Sequence, residues 1–79
     1  MANLVIFALE TDLKLAEADY TMAQNNPTDL INTINKYEEK YELFKKHKVS
    51  IFSRHKYNIL MAELEKVINQ MRASLDKMQ

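Results

Sequence analysis

Apolar side chains recur along this chain at steps of three and four residues, in three separate runs. Ile6, Leu9, Leu13, Ala16, Tyr20 and Ala23 form the first. Leu30, Ile34, Tyr37, Tyr41 and Phe44 form the second, and Tyr57, Met61, Leu64, Ile68, Met71, Leu75 and Met78 the third. Such steps set each run along one side of a helix, as a seam of the coiled-coil type. Strand-like alternation is nowhere sustained. The pattern predicts an all-α chain.

The breaks between the runs predict the topology. The chain holds no glycine and a single proline, Pro27, which falls between the first and second runs. Asn25 or Asn26 is suited to close the first helix, because asparagine tolerates the left-handed geometry that a helix end often needs. Asn26 can then cap the second helix, with Pro27 at its first position and Asp29 well placed for the helix dipole. So short a connection turns the second helix back against the first.

Folded about Asn25, Tyr20 falls near Leu30, Ala16 near Ile34, Leu13 near Tyr37, Leu9 near Tyr41 and Ile6 near Phe44. A second reversal between Phe44 and Tyr57 sets Tyr41 near Met61, Tyr37 near Leu64, Ile34 near Ile68 and Leu30 near Met71. Seam meets seam in both hairpins. The expectation is a short antiparallel three-helix bundle with helices near 2–24, 27–47 and 52–78, forming a single helical domain over 1–79. The second corner has neither glycine nor proline, only the candidate caps Ser50 and Ser53. A helical hairpin, with one long kinked helix from Pro27 to Met78 paired with a second chain, is the alternative.

The first helix carries a second apolar stripe. Leu4, Ala8, Leu15, Ala18 and Met22, with Thr11 among them, also step by four and three. At ~100° per residue this stripe lies away from the first seam. Charged residues Glu10, Asp12, Lys14, Glu17 and Asp19 fill the edges between. A helix that is apolar on two sides is normally covered on both. Either the third helix covers the stripe within one chain, or another chain does. Met1, Leu4, Val5 and Phe7 favour the second arrangement, since a frayed terminus has no reason to be so apolar. Leu4, Phe7, Ala8, Leu15, Ala18 and Met22 are therefore the expected partner interface, for a homodimer, a higher oligomer or a different protein.

Composition narrows the class further. Apolar residues make up 47% of the 79 and charged residues 28%, which suits a folded chain rather than a disordered one. The absence of cysteine removes disulfides and thiolate metal sites. The apolar opening LVIFAL is too short for a membrane span, and no basic residue precedes it as in a secretory signal. A cytoplasmic location is the expectation, or export without such a signal.

Eleven cationic and eleven acidic side chains cancel, yet they are not evenly spread. Residues 1–25 hold Lys14 against Glu10, Asp12, Glu17 and Asp19, while KKHKVSIFSRHKY holds five cations and no acid. An acidic end and a basic end are expected. Lys45, Lys46, Lys48, Arg54 and Lys56 form the basic patch. With Phe52 and Tyr57 available to stack, it raises nucleic-acid binding as a second reading. Zero net charge weighs against that, and cations at a helix C-terminus need no ligand to explain them. An acidic protein is an equal candidate for the patch.

No constellation in the sequence points to catalysis. His47 and His55 lie eight residues apart, which is not helical metal-ligand spacing. No nucleophile elbow, phosphate-cradling loop or zinc-helix motif occurs. Glu38, Glu39 and Glu42 alternate with lysines as on a solvated face, and Tyr37 and Tyr41 sit on the seam. No enzyme activity, cofactor or metal is expected. The helix–Pro–helix plan with KYEEKYELF is similar to small type III secretion components, the needle subunits and their helical chaperones. That likeness covers about half of the chain, lacks the glutamine pattern of needle subunits, and carries over no functional residue. It implies an assembly component or chaperone, which falls within the same class of helical interaction protein.

Overall fold

The computed structural model describes residues 4–79. It contains α1 (Leu4–Ala23), α2 (Pro27–Lys45) and α3 (Arg54–Met78), each packed against the other two. The helices form an up-down-up rod with Cα extents of 42 × 16 × 16 Å. The predicted bundle is the one found. Residues 46–53 separate α2 from α3 as a turn and irregular segment, so the long kinked helix and the two-helix hairpin do not occur. The last two helices are also slightly shorter than 27–47 and 52–78. Positions 2 and 3 of the expected first helix lie outside the described residues, as does Met1.

The first corner forms largely as its residues dictate. Asn26 is extended, with φ −127° and ψ 109°, and its Oδ1 accepts from the Asp29 N–H at 3.0 Å. Pro27 begins α2, where a missing N–H leaves no helical bond unmade. The left-handed closure of α1 is not used, since no described residue has positive φ. Instead the Asn26 N–H donates to the Ala23 carbonyl at 3.1 Å, so one asparagine ends the first helix and starts the second.

All three seams converge on one core. Leu9, Ala16, Leu30, Tyr37, Leu64 and Met71 are fully buried, with Ile6, Leu13, Ile34, Phe44, Met61 and Ile68 nearly so. Tyr20, Tyr41, Tyr57 and Leu75 pack partly buried against them, while Met78 at the end of α3 is exposed. Leu60 and Val67 widen the buried stripe of α3, so this helix fills the groove between α1 and α2. Side chains of a helix lean toward its own N-terminus. Accordingly the Tyr37 hydroxyl reaches back toward the corner and donates to Asp19 at 2.5 Å.

Candidate functional site

The rod presents two unfinished surfaces, and the first is the outer side of α1. Leu4 is 75% exposed, Phe7 68%, Leu15 48% and Met22 82%. Thr11 and Ala18 are exposed between them, so these six residues line the side of α1 opposite its buried seam. Neither α2 nor α3 covers them. The arrangement in which the third helix shields the stripe within one chain is thus overturned. Only its margin turns inward: Ala8, expected with the others, is half-buried, and Val5 beside it packs against the core. At ~100° per residue, Ala8 stands nearer the α1 edge than Thr11 or Ala18 does.

Charges beside this stripe are tied to the neighbouring helices. Lys40 pairs with Asp12 at 3.6 Å, Lys36 with Asp19 at 3.4 Å and Lys56 with Glu10 at 3.1 Å. These pairs run the length of α1, and Glu10 lies at the basic end itself. The expected acidic end is therefore not formed; the carboxylates of α1 line its two edges instead, Asp12 and Asp19 toward α2 and Glu10 toward α3. Exposed pairs of this kind contribute ~0–1 kcal/mol each, so they set the rotation of α1 more than they stabilise it. Lys14 has no ion pair among the described residues.

The second surface is the end of the rod where α2 passes into α3. Lys45 pairs with Glu42 at 3.7 Å and lies 5.8 Å from the centre of the Tyr41 ring. Lys56 reaches Glu10 as described. Lys46, Lys48 and Arg54 make no ion pair among the described residues and are exposed. Two sites of anchorage hold the connecting segment. Val49 packs against the core, and the Tyr57 hydroxyl donates to the Phe44 carbonyl at 2.6 Å. Tyr57 is thereby half-buried and engaged, which leaves Phe52 as the freely exposed phenyl ring of the segment, at 95%. Ile51 beside it is 75% exposed.

Hollows flank this tip on both sides. One of about 600 Å³ lies between Phe7 and Glu10 of α1 and Ser50, Phe52 and Lys56. Another, of about 490 Å³, is lined by His47, Lys48, Val49, Arg54, Tyr57 and Asn58. Sequence reasoning placed the cations and an available Phe52 but missed Ile51 as its exposed neighbour. Their adjacency in a segment without helical period was the available signal. Elsewhere an open groove between α2 and α3 is lined by Glu38, Glu42, Glu65, Lys45 and Arg72, with Arg72 bonded to Glu38 across it. Its charges largely satisfy one another.

Burial shapes the titration of three phenols. Tyr37 is pushed far above its usual value, by burial first and then by the Asp19 carboxylate that accepts its proton. Tyr41 is raised by burial and by Glu65 and Glu42. Tyr57 is raised by burial, with Lys45 opposing. Tyr37 and Tyr57 use their neutral hydroxyls as donors, to Asp19 and to the Phe44 carbonyl. Among the described residues, no three His, Asp or Glu side chains converge to hold a metal ion, and no helix is long and apolar enough to cross a membrane. No family model, curated protein or solved structure matches the chain.

Proposed function

We propose that this chain is a small protein–protein interaction module that associates with a second copy of itself through the outer face of α1. The observation that carries the reading is the exposure of Leu4, Leu15 and Met22 on a regular helix whose opposite side is fully used in the core. Leu4, Ala8, Thr11, Leu15, Ala18 and Met22 keep the alternating steps of a coiled-coil seam over most of the helix. Such a seam needs a helical partner of the same spacing, and an identical copy supplies one.

Laid antiparallel on itself, the stripe matches in size. Leu4 falls opposite Met22 of the second copy, Ala8 opposite Ala18 and Thr11 opposite Leu15. Large meets large at the ends, small meets small where Ala8 faces Ala18, and at the centre Thr11 leaves room for Leu15. This is the self-complementarity that a two-fold interface requires. Zero net charge leaves no long-range repulsion between copies. Covering Leu4, Leu15 and Met22 contributes ~1.5–3 kcal/mol for each side chain fully removed from water.

Sedimentation of the wild type and of Leu15→Glu tests the reading. The wild type runs as a dimer, while Leu15→Glu runs as a monomer with unchanged helical circular dichroism. The antiparallel register adds a sharper check, because residue 14 lies beside the two-fold axis. Lys14→Cys, in a chain otherwise free of cysteine, cross-links on mild oxidation, whereas Met22→Cys does not. A wild type that is monomeric at every concentration overturns self-association. Capture of a different helical chain by that monomer would make the same face an adaptor, inhibitor or chaperone surface.

A further inference from the structure

We propose that the α2–α3 end of the rod docks on a bilayer containing anionic phospholipid, with Ile51 and Phe52 entering the headgroup boundary. Three observations converge there. Ile51 and Phe52 are adjacent, 75% and 95% exposed, and stand in the turn that joins α2 to α3 at one end of an elongated molecule. Lys46, Lys48 and Arg54 surround them without an ion pair among the described residues, and Lys45 and Lys56 stand just behind. The acids closest to the tip, Glu42 and Glu10, are each occupied by one of those two lysines.

The turn that carries the pair is held in place. Val49 is seated on the core, the Ser53 N–H donates to the Ser50 carbonyl at 3.0 Å, and Tyr57 is bonded to Phe44. An apolar pair kept out in water by a braced turn is not explained by loose chain. Apolar tips ringed by cations bind anionic membranes by two additive routes, insertion of the tip and attraction of the ring. The hollow lined by His47, Lys48 and Arg54 offers a headgroup phosphate a basic seat beside the inserted pair.

Size separates this occupant from the others. An end only 16 Å across between Cα atoms gives much less than the ~800 Å² per partner of a stable protein interface. Nucleic acid calls for stacking platforms along a groove. Here the Tyr57 hydroxyl is engaged, Phe52 is the one exposed phenyl ring of the basic segment, and isoleucine beside it does not stack. A flat anionic surface needs neither area nor a second ring.

The test uses the full chain with sedimenting vesicles, either phosphatidylcholine alone or phosphatidylcholine mixed with phosphatidylserine. Binding is expected to the mixed vesicles, to weaken with added salt, and to be slight on phosphatidylcholine alone. Each cation near such a surface strengthens binding about 5-fold, so Lys46→Gln, Lys48→Gln and Arg54→Gln together lower it about 100-fold. Phe52→Ser lowers it about 10-fold through lost apolar transfer. The chain has no tryptophan, so Phe52→Trp reports the tip alone, and its emission shifts to the blue on the mixed vesicles.

An unshifted Phe52→Trp emission with no co-sedimentation overturns the proposal. So does capture of a single-stranded oligonucleotide or an acidic peptide in place of vesicles, and so does equal binding to both vesicle types. Leu15→Glu leaves the vesicle result intact. Failure of self-association and failure of membrane docking are thereby read separately.

Discussion

Tyr37 shows how a single residue can serve the core and the surface together. Its ring is fully buried while its hydroxyl reaches the margin and donates to Asp19. Phenols at 37, 41 and 57 are all raised above the usual value of 10.0, with burial the leading cause in each. Well below pH 10 they are neutral in both folded and unfolded chains, and stability is independent of their titration. Above it, the unfolded chain releases protons that the folded chain retains, so stability falls as pH rises toward the raised values. Urea melts between pH 7 and 11 will show that alkaline decline, and Tyr37→Phe will make it shallower. At neutral pH the same substitution costs about 1–2 kcal/mol for the lost bond to a carboxylate. Leu64→Ala, at a fully buried position, costs about 2–5 kcal/mol by the same assay.

At the scale of elements, the seams could be read from the chain because helical spacing is a local property. Ile6, Leu9, Leu13 and Ala16 declare one face of α1 without reference to any neighbour. The first corner was equally open to reading, since Asn26, Pro27 and Asp29 each have a preferred place at a helix start. Asn26→Ala should therefore cost about 1 kcal/mol in thermal or urea melts, with the three helices retained. Two features were not open to reading in this way. Whether the second stripe of α1 met α3 depended on how three helices divide one groove, and Leu60 and Val67 turned α3 toward the seam instead. The acidic end failed for a related reason. Counting charge by segment ignores that a helix spans the whole rod, and Lys56, Lys40 and Lys36 meet the α1 carboxylates along its length.

The whole molecule is a thin rod, and its size explains why its surfaces stay unfinished. Its accessible surface of 5614 Å² exceeds the ~5,000 Å² typical of a monomer of its mass. Three helices enclose one line of side chains, and whatever lies on the far side of any helix faces water. For α2 and α3 those far sides are mostly polar, with Ile31, Leu43 and Ile59 scattered singly. On α1 they are Leu4, Phe7, Leu15 and Met22, in a row. The account rests on that row being covered in solution by the same row of a second copy. Sedimentation equilibrium of the unmodified chain over a wide range of concentration tests this most directly. A mass approaching twice 9.3 kDa as concentration rises is the predicted result. A mass that stays at 9.3 kDa throughout would contradict it.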